Sequence, residues 1–424
     1  TDSTYEGHIV TSVSSSQLVP NDTGRPFAKR DKKKQPTAHY IKHGKGLLHD
    51  YSAGMTLDGY FQNDEVIGHA LQTLYDKSGR HIIAQYEGGF VLDITYVRHG
   101  KGKYTWQKTN DVYSGDFSMG AMQGLGTFVW GNGDRYEGPF KMGLPWGSNG
   151  KKTNGATGDI FEGSFKKGRM HGWGRKDFGN GDVFCGLYSR DVRKGFGRYA
   201  WNSGDVYVGN WENGNTTGRG VKSIVASSSD AVQTPTHGTS EVYNGEWDTD
   251  EACGSGVKHY ACGDVYYGDF ENNLRHGHGI YTWSNGDYYE GDFAAGSCSG
   301  QGMKFMVNGD VYNGAFSQDK ANGYGVKTYA NGDAHMGYYH NDERHGPGQM
   351  SWANGDCYDG YFEDGEQSGI GEKRWRNLSI YRGQWHKGKK SGPGFMKAHV
   401  NGIDFVFFDV WKGGTRVSRE VAGT

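Results

Sequence analysis

The sequence predicts an all-β protein, an elongated single-layer antiparallel meander of about 15 β-hairpin repeats with little or no helix, and three observations carry that prediction. Glycine supplies 72 of the 424 residues and proline only 8, against an average glycine usage of about 7 per cent. Aromatic side chains make up 14% of the chain although hydrophobic residues of all kinds reach only 34%. Aromatics and glycines also recur at fixed offsets with a period of 23 residues, which overrides a domain count drawn from length. Collagen would need glycine at every third position with abundant proline, and a disordered Gly/Ser chain would lack the rings. Glycine here serves an ordered aromatic fold.

Tyr113, Tyr136, Phe161, Phe184, Tyr207, Tyr243, Tyr266, Tyr289, Tyr312, His335, Tyr358 and Tyr381 open successive units, and nine of the eleven steps between them are 23 residues. Weaker units open at Leu57, Tyr86 and Phe407, and Tyr5-x-Gly7 with Gly44-x-Gly46 reads as a further unit split by an insertion. With the opening residue numbered zero, glycine follows at +2 in fourteen of these fifteen units, Asp409 being the exception, and an aromatic follows at +4 in all fifteen. A G-x-G pair sits at +11 and +13, a large residue such as Trp130, Trp283 or Trp352 at +17, and Asn-Gly-Asp often closes the unit. The organisation expected is a partial repeat with a basic insertion over 1–56, a repeat array over 57–411 interrupted by a Ser/Thr-rich loop near 223–240, and a polar tail over 412–424.

Positions 0, +2 and +4 share a face only in a strand, where side chains alternate with period two, and the same parity links +11 to +17. Each unit is therefore a hairpin, joined to the next through an Asn-Gly turn whose residues tolerate positive φ. Pairing +4 with +11 sets the +2 glycine against the +13 glycine and lays the +4 ring beside a residue without a side chain. Pairing +17 with +23 sets Trp283 against Tyr289, a cross-strand aromatic pair stabilising by roughly 0.2–1 kcal/mol. The ladder expected to hold the sheet comprises Tyr113, Gly115, Phe117, Trp130, Tyr266, Gly268, Phe270, Trp283, Tyr289, Gly291, Phe293, Trp352 and Tyr358. Neighbour-to-neighbour stacking replaces a thick core, as in solenoids.

The composite Y-x-G-x-[FW]-x-x-G-x-x-x-G-x-G-x-x-x-W-x-N-G-D, almost complete from Tyr266 to Asp287 and from Tyr113 to Asp134, resembles the MORN repeat over roughly residues 57–411. The resemblance implies an elongated single-layer β-sheet used as a scaffold, as in flagellar radial spoke heads, parasite cytoskeletal assemblies and junctophilin membrane tethers, and as appended to certain lipid kinases and lysine methyltransferases. Fold alone does not select among these.

Motifs suggestive of chemistry have simpler structural readings. G-x-G strings arise by repetition without the βαβ context a dinucleotide site needs. Gly150-Lys151-Lys152-Thr153 is similar to a phosphate loop, but Lys152 stands where Ser or Thr should hold magnesium, and the segment reads as a loop insertion. His276 and His278 flank Gly277 within a G-x-G signature with no carboxylate or cysteine at ligand spacing. Cys253 and Cys262 read as fillers of small sites, and five cysteines without a CxxC pair read as reduced thiols in a cytosolic compartment. The aspartate of each N-G-D recurs with the period, as expected for turn hydrogen bonding and not for catalysis. No catalytic, cofactor-binding or metal residue is expected, and no enzyme domain fits beside the array.

A formal charge of −2 gives no global field toward nucleic acid, which is not an expected partner. The chain reads as soluble, without an 18-residue apolar run. The basic run Lys29, Arg30, Lys32, Lys33 and Lys34 is the candidate partner-binding loop. The leading expectation is a non-catalytic scaffold of a cytoskeletal assembly in the cilium or flagellum, in an axonemal complex such as the radial spoke head. Its partners are other proteins of that assembly, with homo- or hetero-association with another MORN protein. The alternatives are a peripheral membrane scaffold on anionic phospholipid and a repeat adaptor for a separate enzyme.

Overall fold

A computed structural model describes residues 3–12, 39–92, 96–225 and 240–423 of the chain. Among these residues every regular element is a β-strand and none is a helix, as the period of two requires. The chain divides into two compact units, Thr1–Asn202 and Ser203–Thr424. In the first, strands run from Ser3–Ser12 to Val192–Ala200, each paired antiparallel with its neighbours in sequence except that Gly147–Thr153 pairs with Arg135–Lys141 past the two-residue strand Leu144–Pro145. In the second they run the same way from Val206–Glu212 to Thr415–Gly423. The basic run 29–34 and most of the Ser/Thr-rich insertion lie outside the described residues, although pairing continues up to Val225 opposite Ser240.

The glycine pairing follows the sequence reading. Gly115 faces Gly126 and Gly268 faces Gly279 within hairpins, and Gly279 faces Gly291 between them, so one row of glycines crosses successive strands. The pairing of +4 with +11 is corrected. A β-bulge after each +2 glycine places Phe117 opposite Met122 and Phe270 opposite Arg275, that is +4 opposite +9. Two extra residues on the returning strand shift the register, and the +11 glycine, at φ 58 for Gly277, instead faces the +4 ring of the following hairpin, Phe293. Positive φ at that point is what demands glycine.

The pairing of Trp283 with Tyr289 is corrected as well. Tyr289 stands opposite Tyr281, and Trp283 lies one step beyond the ladder, where its N–H donates to the Asp287 carbonyl to open the turn. The stretch expected as a polar tail contributes the strand Thr415–Gly423, turned back on Ile403–Lys412 by Gly413 and Gly414, both at positive φ. Gly150–Thr153, read as a loop, belongs to the strand Gly147–Thr153, paired on both sides. A register shift between Gly147 and Gly150 absorbs the extra residues of that unit and returns Gly150 to the glycine row.

With no second sheet among the described residues to pack on it, the aromatic face builds its own core. Tyr266 is fully buried because its ring lies over Gly268 and Gly279, where an added methyl would collide with its hydroxyl. That hydroxyl donates to the Asp269 carbonyl at 2.9 Å, and Tyr113 and Tyr289 make the same bond to Asp116 and Asp292. Each opening ring also meets two +4 rings edge-on. Tyr266 lies 5.1 Å from Phe270 and 4.9 Å from Phe293, and Tyr289 continues to Phe293 and Phe316. Such T-shaped contacts add about 0.5–1.5 kcal/mol each beyond burial.

Candidate functional site

Every residue of the expected ladder that is an opening tyrosine, a +2 glycine or a +4 phenylalanine lies on this aromatic face. Tyr113 meets Phe117 and Phe140, and Tyr358 meets Phe362 and Trp385. Trp130, Trp283 and Trp352 form a separate, half-buried row beside the turns. Each is covered by a lysine of the next hairpin: Lys152 lies 5.6 Å from the Trp130 ring, Lys304 4.5 Å from Trp283 and Lys373 4.4 Å from Trp352. Lys152 was considered in the sequence only for a phosphate loop, and Lys304 and Lys373 were not singled out, because the 23-residue step hides that a +15 side chain reaches the +17 ring of the repeat before it.

The recurrent aspartates serve the turns. Asp287 accepts from the Val307 N–H at 2.7 Å and Asp310 from the Ala330 N–H at 3.0 Å, so each carboxylate ties its turn to the next. The opposite edge is tied likewise, with Asp319 accepting from Cys298 N–H and Asp342 from Ala321 N–H.

The histidines each meet a carboxylate, contrary to the spacing argument: His276 Nδ1 lies 3.3 Å from Glu271 and His278 Nδ1 3.7 Å from Asp292, a residue of the following repeat. Two separate pairs result, and among the described residues no group of three His, Cys, Asp or Glu is placed to hold a metal ion. Lys151 pairs with Glu162. Cys298 is buried and its thiol is pushed up to about 12 by desolvation, whereas Cys262 is exposed and fills no small site, because it stands in a turn.

The two departures that the pattern marks, His335 at an opening position and Asp409 at +2, are both buried. His335 takes an opening-tyrosine position, fully buried. Its Nδ1 meets the Tyr339 hydroxyl at 2.7 Å, Nε2 finds no partner, and burial pulls its pKa down to about 4 with the Arg344 guanidinium adding to the effect. Lys390 sits against Trp375, Tyr381 and Trp411, its amine lowered to about 8 by desolvation. The buried Asp409, which replaces the +2 glycine, is held by Arg419 at 2.7 and 2.8 Å.

The opposite face of the sheet carries no constant residue. Over 135–177 it is laced with exposed ion pairs, Arg135 with Glu137, Lys151 with Glu162 and Arg175 with Asp177. Over 324–408 it presents Tyr324, Tyr338, Tyr361, Ile370 and Phe395, each about half or more exposed, together with ion pairs of Glu372 with Arg374 and Arg382. Two shallow depressions there, of ≈300 and ≈430 Å³, share Ile370 and Arg382 and are floored by the backs of the glycine pairs Gly360/Gly371 and Gly383/Gly394. A larger hollow of ≈700 Å³ lies between the turns at 50–55 and 75–80, where Asp50 and Asp76 are already satisfied by Ser52 and Ser78.

The MORN repeat model matches residues 96–110, 113–135, 161–183, 184–206, 207–224, 243–265, 266–288, 289–311, 312–334, 335–357, 358–379 and 381–397. The chain belongs to the MORN-repeat family. The hairpin opened by Tyr136, outside the matched MORN segments, keeps the glycine pairing and ring contacts, since Gly138 faces Gly126 and Tyr136 meets Phe165. No curated protein matches the chain. Among solved structures it is similar to the TCP10 domain of Danio rerio CPAP in complex with a STIL peptide, at 11% identity and a TM-score of 0.22 over 61% of this chain and 88% of that one. It also matches a streptogramin B lyase, at 12% identity and 0.12 over 70% and 89%, and a catalytically inactive virginiamycin B lyase from Staphylococcus aureus with quinupristin, at 11% and 0.12 over 77% and 95%. Scores this low carry no functional argument. MORN repeats make the protein a repeat scaffold or adaptor. Among the described residues no helix is long and apolar enough to cross a membrane.

Proposed function

We propose that the protein is a non-catalytic scaffold that holds other proteins of a cytoskeletal assembly, with the flagellar or ciliary axoneme, in a complex like the radial spoke head, as its setting. One observation carries the scaffold reading. The repeats spend their constant residues on a face that covers its own backbone, and leave the other face free to vary from strand to strand. Invariance on one side secures the sheet, and variation on the other is what partner choice requires. The axonemal setting rests on the family's use in such assemblies.

The test is endogenous tagging in a flagellated cell that expresses the protein, followed by detergent extraction and proximity labelling. The tagged protein is expected to stay with the extracted axoneme and to label its proteins. Release with the membrane fraction, or labelling dominated by a single soluble enzyme, overturns the axonemal reading in favour of a lipid-bound scaffold or an enzyme adaptor.

A further inference from the structure

We propose that the face opposite the aromatic core, across the repeats opened by Tyr243 to Tyr381, docks one amphipathic α-helix of a partner protein, laid across the strands with a basic end and an apolar end. The proposal rests on the scaffold reading and deepens it.

Position +3 of each repeat points to this face. It is carboxylate in three successive repeats, Glu246, Asp269 and Asp292, of which Glu246 lies 3.9 Å from Arg219, is Ala315 in the next, and then becomes aromatic, with Tyr338 and Tyr361. Asp269 and Asp292 are exposed, and neither forms an ion pair with Lys or Arg among the described residues. Asp292 uses one oxygen on the Gln301 N–H and lies beside His278, which leaves the site acidic. Tyr338 stands opposite Tyr324 with the rings 5.5 Å apart, and Tyr361 stands opposite Pro347. The depressions on either side of Ile370 follow along the same row. An exposed apolar strip this regular is unusual on a surface that has no partner.

The spacing selects the occupant. Two strands per repeat at about 4.8 Å place equivalent residues ~9.6 Å apart, and seven residues of an α-helix rise about 10.5 Å. A helix with one contact residue every seven therefore meets +3 of each successive repeat, lysine or arginine over the carboxylates and leucine-like residues over the tyrosines. Docking by spaced anchors of this kind is how grooves receive amphipathic helices, and the acidic end fixes the direction of binding.

The probe is a fluorescein-labelled 42-residue helical peptide with Lys at three successive seventh positions and Leu at the next three, over Ala315, Tyr338 and Tyr361, titrated by anisotropy against the full chain. Binding should weaken by 10-fold or more in the Tyr338→Ser/Tyr361→Ser variant. It should weaken several-fold in Asp269→Lys/Asp292→Lys, which should also lose the salt dependence. These side chains are exposed, so circular dichroism of the variants should match the parent. A peptide with the same residues scrambled, one with the Lys and Leu ends exchanged, and one broken by central prolines should each bind at least 10-fold more weakly. Failure of the probe to bind, equal binding of any control peptide, or unchanged affinity in both variants overturns the helix proposal. So does binding of phosphatidylserine vesicles, but not the peptide, that is lost in the Tyr338→Ser/Tyr361→Ser variant. Recovery of axonemal partners by a chain that does not bind the probe would leave the scaffold reading standing and remove only this surface.

Discussion

The two faces of the sheet obey different rules. On the aromatic face, Tyr113, Tyr266 and Tyr289 repeat one arrangement, a ring over a glycine pair and a hydroxyl on the +3 carbonyl, so closely that one hairpin describes the next. On the other face, Arg175 with Asp177 is an exposed ion pair while Tyr324 with Tyr338 is an exposed ring pair, although both lie on strands of the same repeat type. A side chain that covers backbone is constrained by the backbone, which is the same in every repeat. One that faces solvent is constrained only by what comes to meet it.

The sharpest way to break the comparison is to remove a covering ring. Tyr266→Ala should cost about 3–5 kcal/mol, since it empties a fully buried site and uncovers Gly268 and Gly279. Urea unfolding should show that loss, and limited proteolysis should place new cleavage between 266 and 312 first, because support comes from neighbouring repeats.

His335 permits a subtler break on the same face. Its folded pKa of about 4 lies below the ordinary histidine value of 6.5, so between those values the unfolded chain binds more protons than the folded one. Its share of stability should be whole above about pH 6.5 and fall by on the order of 2–3 kcal/mol as pH drops toward 4. Thermal melts at pH 7 and 4.5 of the parent and of His335→Tyr/Tyr339→Phe, which restores the Tyr-and-Phe pair, should differ in this respect. An equal acid-induced loss in both proteins would show that His335 is not its source.

Trp283→Ala should cost less, about 1–2 kcal/mol, because the indole is half-buried beside the turn and loses mainly its contacts with Tyr281 and Lys304. A loss as large as that of Tyr266→Ala would show that the tryptophan row belongs to the core. Tyr361→Ser, on the opposite face and about half exposed, should change the urea midpoint by no more than about 0.5 kcal/mol. A larger loss would mean that this face too is structural.

The sequence made the period, the strand parity and the Gly115–Gly126 type of pairing readable, because each rests on residue type at fixed spacing. It did not make the bulge readable. Two added residues, Gly277 and His278, move Phe270 from Gly277 to Arg275 and preserve the alternation of faces, so parity counting does not detect them. The displacement of Trp283 off the ladder has a separate cause, since the strand pairs only as far as Thr282 at +16 and the turn to the next hairpin begins at +17. The opposite face was illegible for a different reason. Nothing in it is periodic, and the run from Asp269 and Asp292 to Tyr338 and Tyr361 acquires meaning only when those residues are seen in one row.

The carboxylate ties between turns bear on how such a chain is made. Asp287 is synthesised 20 residues before the amide of Val307 that it binds, and Asp310 before that of Ala330. As the ribosome extends the chain, each completed hairpin presents an acceptor to the segment about to emerge, and no bond of this kind waits for a distant part of the protein. The sheet can be laid down one course at a time at the pace of translation, so its assembly in the cell need be no slower than its synthesis.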